Sequence, residues 1–239
     1  MSTYRCSVVL VPYVTHIDPR CEEGLRALET RGIEVRRYQS SASIDRARSD
    51  AATEALDKGF DELIWIDSNM RFDADDVERL RSHDLPVVAG VYPQDGVQDL
   101  VLRLAEDTTE LKMGDGGGLC EVRYVGGGFL CTQRIVYEAI QREYTLPVCN
   151  TRSGKRTVPY FLPMVIADLH EYMYLGDDYA FCERARQVGY KIMVDTTILL
   201  GHVGSYVYGW EDAGQKLPRL KSGKLTPRRT ARTKRPESA

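Results

Sequence analysis

Asp67, Ser68 and Asn69 follow directly on the apolar run Leu63 to Ile66. A carboxylate and an amide oxygen two residues apart at a strand end can face one cation. Oxygen ligands of this kind suit Mg²⁺ or Mn²⁺, which also take phosphate oxygens. The same spacing fits a polar turn that ends a strand. A second acidic pair, Asp177-Asp178, opens the segment Gly176-Asp-Asp-Tyr-Ala-Phe-Cys182. Acids at a helix N-terminus are favoured by the helix dipole, and one placed at a cleft edge can also act as a general base. His202 stands between glycines in Gly201-His-Val-Gly204, where imidazole can bind a metal or stay a plain core residue. Gly126-Gly127-Gly128 precede Phe129, and consecutive glycines let a backbone approach a ligand closely or turn tightly. They fit neither G-x-G-x-x-G nor a Walker loop, which disfavours dinucleotide and P-loop chemistry. Arg46 and Arg48 lie near a helix start, where they can meet a diphosphate or a solvated face.

These residues need a scaffold, and the pattern around them supplies one. Cys6 to Val14 is a β-branched run that reads as a strand buried on both faces. Asp18-Pro19 opens a helix that stops at Gly32, and Ile33 to Tyr38 alternates as a second strand. Ser43 caps a helix running to Lys58, with Gly59 just beyond. Glu62 to Asp67 is a third strand, Asp73 to Ser82 a short helix, and Pro86 to Tyr92 a fourth strand. Strands alternating with helices predict a parallel α/β sheet whose ligands sit at the C-terminal strand ends. Further on, 99–111 adds sheet-edge pieces, 114–118 turns, Glu121 to Val125 leads into the glycines, and Arg134 to Arg142 is helical. Pro147 to Pro163 reads as a loop, Asp177 to Val188 as a helix ending at Gly189, and Lys191 to Asp195 and Ile198 to His202 as strands.

The chain of 239 residues is long enough for one well-buried domain, read as 1–214. Its net charge of −3 names no partner, but the distribution is uneven. From Lys216 onward there are nine Lys/Arg and one Glu, which leaves 23 basic and 34 acidic residues in the body. Residues 215–239 read as a basic, flexible tail. Such a tail can hold nucleic acid or an anionic membrane surface, or stay solvated. Six cysteines without a C-x-x-C pair point to a reducing compartment, and the apolar run near the N-terminus is too short to span a membrane. The expected location is the cytoplasm.

The order of these segments resembles that of GT-A glycosyltransferases. Asp67-Ser-Asn-Met-Arg-Phe-Asp-Ala-Asp-Asp resembles their DxD segment, and Tyr124-Val-Gly-Gly-Gly-Phe-Leu is similar to the mid-chain glycine segment of family 2-like members. Gly176-Asp-Asp-Tyr-Ala-Phe-Cys-Glu-Arg resembles their acidic-pair helix, Leu200-Gly-His-Val-Gly their histidine segment, and Ile44-Asp-Arg-Ala-Arg their arginine helix. The resemblance covers about residues 5 to 210 and implies a mixed, mainly parallel α/β sheet flanked by helices. It implies a UDP- or GDP-sugar donor, with the nucleoside near Pro12 and Tyr13, Arg48 on the diphosphate, Ser68 among the residues that bind the nucleotide sugar, and Gly127 and Gly128 lining the sugar cleft. Asp67, Asn69 and His202 become ligands of Mn²⁺ or Mg²⁺. Asp178 becomes the base of an inverting transfer, Asp177 positions sugar hydroxyls, and Trp210 ends a loop that closes over the donor. Asn69 stands where the family has a second aspartate, and this motivates the alternative of a non-catalytic sugar-nucleotide or glycan-binding protein. The basic tail motivates another, a glycosyltransferase acting on nucleic acid.

Overall fold

The structure is a computed structural model that describes residues 6–94, 99–105, 108, 110–168, 171–204, 207–210 and 222–225. Its strands, in chain order, are β1 (Ser7–Tyr13), β2 (Glu34–Gln39), β3 (Glu62–Ile66), β4 (Met70–Arg71), β5 (Val87–Gly90), β6 (Leu102–Leu104), β7 (Leu111–Gly114) and β8 (Leu119–Val125). They continue as β9 (Phe129–Gln133), β10 (Met164–Asp168), β11 (Glu171–Leu175), β12 (Ile192–Asp195), β13 (Gly201–Val203), β14 (Val207–Tyr208) and β15 (Ser222–Leu225). The helices are α1 (Pro19–Thr30), α2 (Ile44–Asp57), α3 (Ala74–Ser82), α4 (Arg134–Glu143) and α5 (Asp177–Gln187).

Period-two alternation of large apolar residues builds a sheet with two buried faces. Val8 and Leu10 of β1 and Leu63 and Trp65 of β3 enter one core cluster, while Val9, Val11, Ile64 and Ile66 enter the other. The first cluster is closed by α2 (Ala51, Ala52, Ala55), α4 (Val136, Tyr137, Ile140) and α5 (Phe181, Cys182, Ala185). The second is closed by α1 (Cys21, Leu25, Leu28) and α3 (Val77, Leu80). Each fully buried Val, Leu or Phe contributes roughly 1.5–3 kcal/mol, so the two layers hold the sheet from both sides.

The main sheet has eight strands in the order β2-β1-β3-β9-β5-β12-β8-β6. β9 and β8 run against the other six, so the sheet is mixed and mainly parallel. The main-sheet strands of the first ninety residues, β2, β1, β3 and β5, run parallel to one another as their alternation with helices predicts, and the antiparallel element comes from later in the chain. β9 enters between β3 and β5 and is antiparallel to both. Phe129–Gln133 is buried at every position but only five residues long, and behind three glycines it reads as the tail of a turn. β10 and β11 pair antiparallel in a separate two-stranded sheet that the pattern leaves unassigned. The strand expected over Ile198 to His202 begins later, at Gly201, and pairs with β4 and β14 in a small separate sheet. Within the basic tail, β15 pairs antiparallel with β7; the rest of 211–239 lies outside the described residues. Among the described residues no helix is long and apolar enough to cross a membrane.

Candidate active site

A cleft of about 520 Å³ opens at the C-terminal ends of β1 and β3. This is within the size range of small-molecule sites. One wall is the end of β1 and the residues after it, Pro12 to His16, with Asp18. A second is the approach to α2, with Ser40, Ala42, Ile44 and Ala47. The third is Asp67, Ser68 and Asn69, and Val203 and Gly204 complete the rim. Pro12, Tyr13, Asp67, Ser68 and Asn69 are thus brought together in one cleft. The cap residue of α2, Ser43, makes no side-chain hydrogen bond to its helix. The first N–H groups of this fourteen-residue helix therefore remain able to meet an anion at the cleft wall.

Arg48 lies behind the cleft and does not line it. It is 3% exposed, because the second turn of α2 turns this side chain inward beside Ala47 and Ala51. Its Nη2 donates to Asp67 Oδ1 at 2.8 Å and its Nη1 to Asp177 Oδ2 at 2.6 Å. A buried guanidinium must be paired, and here one cation joins the strand-end acid to the first acid of α5. Burial works to lower the Arg48 pKa, but Asp67, Asp177 and Asp178 outweigh it and hold the group charged. Arg46 is exposed and lies 4.0 Å from Asp50. The expected diphosphate contact from Arg48 is replaced by a bridge between carboxylates.

Asp178 is half-buried and held by two backbone N–H groups, Gly127 at 3.1 Å and Tyr179 at 2.8 Å. Burial pushes its pKa up; Arg48 opposes this and Asp177 adds to it. The three glycines are explained by what crowds them. A Cβ on Gly127 would stand 2.5 Å from Arg48 Nη1, and one on Gly128 would stand 2.6 Å from the Tyr92 hydroxyl and 2.9 Å from Asp67 Oδ2. Gly126 would likewise meet Tyr92. Gly127 and Gly128 are buried, and they make room for these side chains rather than lining the cleft.

Tyr92 is a site residue that the sequence reading misses. Its hydroxyl accepts the Gly128 N–H at 2.8 Å, and its ring stands edge-on to His202 at 5.5 Å. Burial drives its pKa well above the ordinary value, so it stays neutral. Only its place at the end of the Pro86 to Tyr92 strand could have flagged it. Trp210, expected in a closing loop, is 3% exposed and belongs to the main core cluster. Ser205 and Tyr206 of that loop lie outside the described residues.

The three expected metal ligands do not converge as a donor set. Asn69 turns its nitrogen, not its oxygen, toward His202. Nδ2 donates to Val203 O at 3.1 Å and lies 3.0 Å from His202 Nε2. The other ring nitrogen, Nδ1, lies 3.1 Å from Pro93 O, which only an N–H can face. These partners assign the neutral imidazole with its proton on Nδ1 and its Nε2 lone pair on Asn69. Asp67 Oδ1 is engaged by Arg48. Among the described residues no group of three or more His, Cys, Asp or Glu could hold a metal ion. The residues present do not fit the divalent cation that the resemblance implies.

No known family profile and no curated protein matches the sequence. Solved structures do resemble the fold. A197 from STIV is 16% identical, with 90% of this chain and 97% of that chain superposed at a TM-score of 0.56. GalNAc-T7, solved with UDP, GalNAc and Mn²⁺, is 12% identical over 89% of this chain and 46% of its own, at 0.47. A 1–349 fragment of S. aureus TarS in complex with UDP-GlcNAc is 11% identical over 80% and 56%, at 0.38. The chain spans about half the length of the latter two. At such identities the likeness concerns the fold alone: this chain shares the fold of A197, and its mixed, mainly parallel sheet flanked by helices is the architecture that its motifs imply.

Proposed function

We propose that the protein is a glycosyltransferase that takes a sugar from a UDP- or GDP-sugar and passes it to an acceptor hydroxyl with inversion. One observation carries this reading. A cleft at the ends of β1 and β3, with an open helix N-terminus in its wall, is tied through Asp67 and Arg48 to the acid pair that opens α5. The nucleoside lies against Pro12 and Tyr13. The diphosphate faces the N-terminus of α2 and the Ser68 hydroxyl, where the helix dipole and free N–H groups favour negative charge. Asp178 takes the acceptor proton as the acceptor oxygen bonds to the anomeric carbon. The bond from that carbon to the phosphate oxygen breaks, and the nucleoside diphosphate leaves with the electron pair. A raised Asp178 pKa suits a base, because a stronger carboxylate base lowers the barrier to proton transfer. No step here runs through a metal ion, since Asn69 offers an N–H where a ligand must offer a lone pair.

The test is a panel of nucleotide sugars against thermal stability, followed by donor consumption. One UDP- or GDP-sugar raises Tm in the wild type and equally in Asp178→Asn, and only the wild type consumes it. If no nucleotide sugar raises Tm, the reading is wrong. If Asp178→Asn turns over normally, another base is at work.

A further inference from the structure

We propose that this cleft holds its diphosphate without a divalent cation, because Asn69 and His202 satisfy each other where a metal site needs both to turn lone pairs toward one ion. Val203 fixes the Asn69 side chain. Its carbonyl oxygen accepts from Asn69 Nδ2 at 3.1 Å, and its N–H donates to the Asn69 carbonyl at 2.8 Å. Asn69 is thus clamped to β13 by main chain and side chain together. Turning the amide over would set its oxygen against the Val203 oxygen and lose the bond, so the orientation is fixed by a neighbour outside the ligand set. With Nδ2 held there, the N–H group it points at His202 occupies the Nε2 lone pair. The Pro93 carbonyl fixes the ring from its other side, so rotating His202 away breaks two hydrogen bonds.

Charge balance points the same way. A strand-end aspartate beside a cleft invites a cation, and here Arg48 already is that cation, 2.8 Å from Asp67 Oδ1. A buried guanidinium in a fixed bridge to Asp177 cannot give up Asp67 to a hydrated ion without losing half of its own charge pairing. The negative charge of a leaving diphosphate then falls to the N–H groups of α2 and to Ser68. Asn69 is the residue that sets this state: an aspartate at the same place has no N–H to give, would repel the Val203 oxygen, and would present a carboxylate to whatever His202 Nε2 binds.

The proposal rests on the nucleotide reading only for the diphosphate, and the metal arm stands apart from it. The full chain is heated with millimolar MnCl₂ or with EDTA, each with and without UDP or GDP. The wild type shows the same Tm in Mn²⁺ alone and in EDTA, and any rise caused by UDP or GDP is equal in both. In Asn69→Asp, Mn²⁺ alone raises Tm by roughly 5 °C, the size expected for a site filled about a hundredfold above its Kd in a chain this long. The added change His202→Ala removes that gain. A wild-type rise in Mn²⁺ alone that is lost in Asp67→Ala overturns the proposal, and so does a nucleotide shift that vanishes in EDTA and returns with Mn²⁺. Failure of Asn69→Asp to gain a Mn²⁺ response overturns the role given to the Asn69 amide. If neither UDP nor GDP shifts Tm, the nucleotide reading fails, while the two measurements without nucleotide still decide the metal question.

Discussion

Two carboxylate clusters of this molecule are built in opposite ways. Asp195, at the end of β12, is 1% exposed and carries more donors than it needs: Arg79 and His83 each at 2.8 Å, and the amide and hydroxyl of Thr197. Burial works to raise its pKa, but these donors outweigh burial and hold it at about 2. Behind the cleft the ratio is reversed. Asp67, Asp177 and Asp178 share the single cation Arg48, and Asp178, left with two backbone N–H groups, has its pKa pushed up by burial. A saturated carboxylate fastens α3 to the sheet. An under-supplied one keeps a raised proton affinity, which the proposed base would use. The number of donors around each acid distinguishes them more sharply than burial does, since both clusters lie within the packed protein.

The strongest way to break the contrast is to remove the one shared cation. Arg48→Met leaves Asp67 and Asp177 facing each other across an apolar side chain. Removing one partner of a buried ion pair costs about 3–5 kcal/mol. The expected result is a loss of that size in urea unfolding at pH 7. Arg48→Lys falls between, since one ammonium cannot reach both acids in the bidentate manner of a guanidinium.

Much of the scaffold around this cation is legible in the sequence, and the reasons are local. β1 and β3 announce themselves as continuous apolar runs, and α2 ends where Gly59 adopts φ 87°. Pro12, Tyr13 and Asp67 to Asn69 follow because ligands gather at strand ends. The place of β9 is not legible, because a five-residue strand carries no mark of which neighbours it will separate. The role of Arg48 is hidden for a related reason. Along α2, Arg46 and Arg48 differ only by about 200° of helical rotation, and polar residues on both sides leave the inward face undefined until Asp177 arrives from 129 residues away. Tyr92 and the Asn69 amide depend on the same kind of distant partner, Gly128 and Val203.

A second, smaller break comes from crowding the cation instead of deleting it. Gly127→Ala places a methyl group 2.5 Å from Arg48 Nη1, in a pocket whose far side is Asp177 and Asp67. Overpacking of this kind costs about 1–3 kcal/mol, and the shift of Arg48 weakens both ion pairs. Gly116→Ala is the matched control, with nothing within 4 Å of the added carbon and an expected change within about 0.5 kcal/mol. Equal losses in the two variants would mean that the glycine run serves the backbone and not the guanidinium.

The comparison is sharpest in its smallest effects, read as stability against pH. Asp195 has a folded pKa below its unfolded value, so its contribution is complete above about pH 4 and fades as pH falls toward 2. A shift of this size corresponds to about 2 kcal/mol, and Asp195→Asn should lose that much at pH 7 and flatten the acid limb of the stability curve. Asp178 has the opposite sign. Its folded pKa lies above its unfolded value, so the unfolded chain releases the proton first, and stability falls as pH rises through that window. Asp178→Asn should therefore shift stability at pH 7 toward higher values, while abolishing donor consumption. Urea unfolding of both variants from pH 3 to 7 checks the pair. A destabilised Asp178→Asn with an acid limb like that of Asp195→Asn would make Asp178 a second structural anchor, and the contrast between the clusters would be lost.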